Sequence, residues 1–173
     1  MTDPGLTTST ARTFRWERER RHTELVIVPR DEWGGPPLLE CEYFEKPFLS
    51  NPVPHIILSY TETDVLFSPE ECKEKLYQMH LDAVERGLWT VPFNFVVGGD
   101  GTVYECRGWK RKPERSRVFP ALWGESMEIA HFGRKGKPPS INQINGSWLL
   151  TLFGMSKKYI THKSMPDRHP LFV

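Results

Sequence analysis

Few side chains in this sequence could do metal or acid–base chemistry, and the most suggestive pair stands near its C-terminus. His162 and His169 carry imidazoles, a common ligand for zinc. Two such ligands without a third hold a metal weakly, so the pair reads as two edge histidines unless another donor joins them. His55 sits in an apolar run and reads as a satisfied strand histidine. Cys41, Cys72 and Cys106 leave at least one thiol unpaired, and their spacing matches neither a zinc ribbon nor a redox pair. A bridge between Cys41 and Cys106 stays open, because sequence separation says nothing about distance in space. Lys110 to Arg117 (KRKPERSR) is the densest local positive charge. It could pair with the carboxylates of a ligand, or be a solvated basic loop.

The elements that must position these groups belong to one domain's length of chain. At 173 residues and a net charge of +1, one core is expected and no global field draws nucleic acid or an anionic membrane. With 38% hydrophobic and 26% charged residues the balance is that of a soluble globular protein. There is no apolar run of about 18 residues, and so no expected membrane span. The opening MTDPGLTTSTARTFRWERERRH lacks the apolar segment of a signal peptide. Residues 1–23 therefore read as a flexible arm, and 24–173 as the folded domain.

Glu24 to Pro29 (ELVIVP) is a short strand followed by a turn at Trp33, Gly34 and Gly35, then a long loop from Pro36 to Pro54. His55 to Tyr60 (HIILSY) is dense enough to be a strand buried on both faces. Ser68, Pro69 and Glu71 form a capping box with proline at the first helical position. Behind it Cys72, Leu76, Met79, His80 and Ala83 recur at helical spacing, and Gly87 stops the helix. Phe93 to Val97 and Thr102 to Cys106 flank Gly98-Gly99-Asp100-Gly101, a hairpin signal. Met127 to Phe132 reads as a strand. Ser140 and Gln143 cap a second helix whose expected apolar face is Ile141, Ile144, Trp148, Leu149 and Leu152, with Tyr159 to Thr161 a last strand. The fold class expected is α/β, a central mixed β-sheet with helices packed around it.

Read in order, IVPRDEW (27–33), HIILSYT (55–61), the capped helix, VPFNFVVGGDGTVYECRGW (91–109), SMEIAHFG (126–133) and YITH (159–162) resemble the peptidoglycan recognition protein domain. That family is related to zinc-dependent N-acetylmuramoyl-L-alanine amidases. The resemblance implies a mixed sheet with a peptidoglycan groove on one face. It also implies, in active members, a zinc on two His and one Cys beside a groove Tyr. The first His position aligns with Ser59, with Tyr60 beside it, and the groove Tyr with Phe93. The second His aligns with His162, while Arg168-His169-Pro170-Leu171 stands where the Cys is expected. Cys72 matches the second half of a family disulfide whose first half is Leu66 here, and Lys110-Arg111-Lys112-Pro113 follows Arg107-Gly108-Trp109 in place of the family's groove segment.

On that alignment the zinc is expected to be lost and His162 to be vestigial. The groove candidates are Ser59, Tyr60, Phe93, Arg107, Trp109, Lys110, Arg111 and His162. The expected function is non-catalytic: a receptor or regulator in innate immune signalling that binds peptidoglycan fragments weakly or pairs with a related recognition domain. An extracellular face or receptor ectodomain is favoured over a cytoplasmic form. The rival is an amidase with unusual ligands, for example His162, His169 and a third group.

Overall fold

The computed structural model describes residues 12–16, 23–38, 48–114 and 124–161, the first of these by backbone only. Cys41, His162, His169 and the second half of the basic run lie outside the described residues. The strands are β1 (Arg12–Trp16), β2 (Thr23–Val28), β3 (His55–Tyr60), β4 (Phe95–Val97), β5 (Val103–Glu105) and β6 (Ser126–His131). They form one sheet in the order β1-β2-β5-β4-β6-β3. β1 on β2 and β4 on β5 run antiparallel, whereas β2 on β5, β4 on β6 and β3 on β6 run parallel. The expected mixed α/β sheet is what the structure holds. Arg12–Trp16, inside the stretch read as a solvated arm, instead pairs with β2 along the sheet edge, using backbone hydrogen bonds that side-chain polarity does not forbid.

Alternation along the strands divides the core in two. Val28, Val96, Tyr104 and Ala130 face α1 (Pro69–Glu85), where they meet Cys72 and Leu76. Ile27, Leu58, Phe95, Val97, Val103, Met127 and Ile129 face α2 (Ile141–Ser156), where they meet Leu149, Leu150, Phe153 and Met155. α1 begins as its sequence dictates, with the Ser68 hydroxyl accepting from the Glu71 N–H at 3.2 Å and Pro69 in the first turn. Cys72 and Cys106 are both free and buried. Cys72 therefore serves the core, and the open Cys41–Cys106 bridge is not formed. Between β4 and β5, Asp100 accepts from the Thr102 N–H and hydroxyl, and Gly101 supplies the positive φ of +90° that the turn requires. No helix among the described residues is long and apolar enough to cross a membrane.

α2 departs from the expected face. Ile141, Ile144 and Trp148 are exposed by 68%, 41% and 46%, so they do not face the sheet. Leu149 does, and Leu152 is half-buried. The sheet-facing positions include Gln143, Gly146, Ser147 and Gly154. The Gln143 amide donates to the carbonyls of Val97 and Phe132 at 3.1 and 2.9 Å. A polar residue with every bond made can replace a hydrophobe there. Gly146 lets the helix approach the hairpin backbone: a Cβ at that position would stand 2.5 Å from the Gly101 carbonyl oxygen. Helix propensity alone predicts that Gly146→Ala gains about 1 kcal/mol. The backbone contact reverses the sign, and chemical denaturation should show a loss of about 1–3 kcal/mol. A gain would place α2 farther from the hairpin than described.

Candidate functional site

Ser59 lies on β3 and Glu128 on β6, one rung apart in parallel register and on the sheet face that α1 partly covers. The Ser59 hydroxyl donates to Glu128 Oε1 at 2.7 Å. Glu128 is 8% exposed. Burial pushes its carboxyl up to about 7, against the opposing pull of the Ser59 hydrogen bond and the Arg107 charge. Glu128 was not among the residues expected from sequence. Its signal was available: an acid inside the apolar run SMEIAHF requires a partner or a purpose.

Asn94 is the second residue that sequence reasoning missed. It is fully buried. Its Oδ1 accepts from the Glu128 backbone N–H at 2.9 Å, and its Nδ2 donates to the carbonyls of Gly108 and Arg111 at 2.8 and 2.7 Å. One side chain thus ties β6 to the loop that leaves β5. Phe93, just before it, packs half-buried against the α1-side cluster and brings a ring without a hydroxyl.

The other expected groove residues do not gather at Ser59. Tyr60 falls on the opposite face by alternation, where its ring meets His131 edge-on at 6.4 Å. Trp109 also packs on the α2 side, stacked on Tyr159 at 4.9 Å and tilted against Phe95 at 4.6 Å. It is a half-buried core residue, not the exposed contact surface expected for it. Arg107 is 3% exposed and spent internally, donating to the Val91 and Lys112 carbonyls and pairing with Glu114 at 3.2 Å. Its guanidinium also lies 4.6 Å over the Trp89 ring. Lys110 is exposed, and its carbonyl accepts from Leu49 N–H. Arg111 is 5% exposed, 4.5 Å over the Phe48 ring, with Nη1 unpartnered. So the basic run is not a uniformly solvated loop in its described half.

Comparison with known proteins decides the family. Mouse peptidoglycan recognition protein 1 is 36% identical over 137 residues, 78% of this chain and 71% of that one. This chain belongs to the peptidoglycan recognition protein family. A peptidoglycan-recognition protein of Drosophila melanogaster is 34% identical over 116 residues, and the match spans 66% of this chain and 60% of that protein's length. No family model matches. Among solved structures, the ectodomain of the Drosophila transmembrane receptor PGRP-LCa superposes with a TM-score of 0.70 at 25% identity, covering 80% of this chain and 81% of that one. The complex of tracheal cytotoxin with the PGRP-LCa and PGRP-LCx ectodomains gives 0.69 at 26% identity, covering 80% of each chain. The family thus includes receptor members, and the fold expected from the resemblance is shared with them.

Within this family fold, the Ser59–Glu128 pair gives a signed pH dependence. Glu128 holds its proton more tightly folded (about 7) than at its ordinary value of 4.5. Its contribution is therefore full below about 4.5, is lost as pH rises to about 7, and is flat above. His131, pulled down to about 4 by burial, works the other way and loses stability as pH falls from 6.5. Glu128→Gln removes only the first effect. Urea unfolding at stepped pH should show the variant gaining on the wild type as pH rises from 4.5 to 7, by at most about 1.4 kcal/mol per pH unit. Parallel curves would contradict the raised carboxyl.

Proposed function

We propose that this chain is a non-catalytic peptidoglycan recognition protein domain, acting as a receptor or regulator in innate immune signalling. It would bind peptidoglycan fragments weakly or pair with a related recognition domain. The observation that carries the reading is the Ser59–Glu128 hydrogen bond at the position where the resemblance puts the first zinc ligand. A zinc ligand offers a lone pair from a deprotonated or neutral-imidazole donor. The Ser59 hydroxyl is a poor donor, already committed to Glu128, and burial favours the neutral form of the Glu128 carboxyl. These donors do not fit the imidazole site that zinc would need. Phe93 offers no hydroxyl to polarise a carbonyl or orient water.

The same face retains what recognition needs. Asn94 fixes the loop after β5 against β6 with three hydrogen bonds, so the floor beside Ser59 is rigid and an occupant pays little ordering cost. Tracheal cytotoxin bound to the related receptor ectodomains supports a peptidoglycan fragment as that occupant.

Two measurements on the full chain test this reading. Incubated with zinc and a muramyl pentapeptide, it should release no stem peptide by chromatography, and Phe93→Tyr should not restore release. Calorimetry with the same ligand should give saturable heat. Sustained turnover would overturn the non-catalytic assignment, and absence of heat would overturn the peptidoglycan assignment.

A further inference from the structure

The Ser59 contact does not explain why position 128 is an acid. An amide would make the same hydrogen bond with no ionisation penalty, whereas a buried carboxylate costs free energy unless a cation meets it. Each described group facing Glu128 is otherwise engaged. Ser59 serves Oε1. Asn94 spends its Oδ1 on the Glu128 backbone N–H and its Nδ2 on Gly108 and Arg111. Arg107, whose charge reaches the carboxyl, is held by Glu114 and by the Val91 and Lys112 carbonyls. Among the described residues nothing donates to Glu128 Oε2. Glu128 keeps 8% of its surface exposed, and Oε2 is not one of the atoms sealed from solvent without a partner, as Tyr104 OH and Arg111 Nη1 are. The result is a side chain more than nine-tenths buried, with one oxygen tied down and the other without a donor among the described residues.

We infer that Glu128 is a ligand-contacting residue whose open oxygen takes a primary ammonium group, making the β3–β6 face selective for amine-bearing ligands. The inference deepens the recognition reading and rests on it for the nature of the natural ligand. An ammonium stabilises the ionised carboxyl through a charge-assisted hydrogen bond. A neutral hydroxyl or amide donor gains less there, because it leaves the buried charge uncompensated. Ser59 acts as the positioning residue, holding Oε1 and leaving Oε2 to the ligand. Phe93 flanks this face with an apolar ring, suited to the methylene stem behind an ammonium.

The test uses Nα-acetyl-lysine methylamide and its Nε-acetylated form, titrated into the full chain at pH 8 and followed by amide NMR. The free amine should shift the Ser59 and Glu128 signals saturably, at least tenfold more tightly than the acetylated probe. Glu128→Gln, which keeps the Ser59 bond, should lose that preference while melting no lower than wild type at this pH. Equal response to both probes, no response at Ser59 and Glu128, or a preference that survives in the variant would overturn the inference. Should the variant fail to fold, the two probes on the wild type decide it alone. A muramyl tripeptide ending in lysine, titrated in parallel with and without Nε-acetylation, separates the two claims. Binding without an amine preference sinks the ammonium site and leaves recognition standing. An amine response with no tripeptide binding sinks recognition and leaves the ammonium site.

Discussion

The parallel register of β3 on β6 sets what this face can do. Because side chains alternate, pairing Ser59 with Ala130 and Ile57 with Glu128 brings the Ser59 hydroxyl and the Glu128 carboxyl onto one face. The same register sends Tyr60 and His131 to the other. A slip of one residue would exchange the two sets. The imidazole would then lie on the α1 side and the carboxyl under α2. Burial on both sides forbids the slip, since it would turn Met127 and Ile129 away from Leu149 and Leu150. The chemistry of the face is therefore a consequence of core packing, not of any local motif.

Two buried polar residues then fix the surroundings. Asn94 joins β6 to the loop after β5, and Arg107 closes that loop on Val91, Lys112 and Glu114. Neither is free to meet a ligand, yet both define the floor that a ligand would meet. On the far side, Gln143 and Gly146 draw α2 against the hairpin. The result is a rigid sheet that carries the Ser59–Glu128 pair on its α1 side.

Much of this was legible in the sequence. The capping boxes at Ser68 and Ser140, the Asp100-Gly101 turn and the apolar runs gave α1, the hairpin and the sheet, because each is a local signal with a local cause. The α2 face was not legible. Ile141, Ile144 and Trp148 have helical spacing and outscore Gln143, Gly146 and Ser147 as hydrophobes, but close backbone approach and satisfied carbonyls outweigh hydrophobicity at that contact. Trp109 and Arg107 stand among the expected groove residues because the family resemblance aligns Arg107-Gly108-Trp109 with the groove. Their burial depends on partners distant in sequence, Tyr159 and Val91 among them. Glu128 went unread because an acid in an apolar strand gains meaning only when its neighbour across the sheet is known.

Glu128 and Ser59 form a hydrogen-bonded unit through Oε1, and burial shifts the carboxyl toward neutrality. The direct measurement is a carbon-13 NMR titration of the Glu128 side-chain carboxyl in the full chain, with and without one equivalent of zinc. The expected midpoint lies near 7 and is unmoved by zinc. A midpoint in the ordinary carboxylate range near 4.5, or one that zinc drives sharply down, would contradict it.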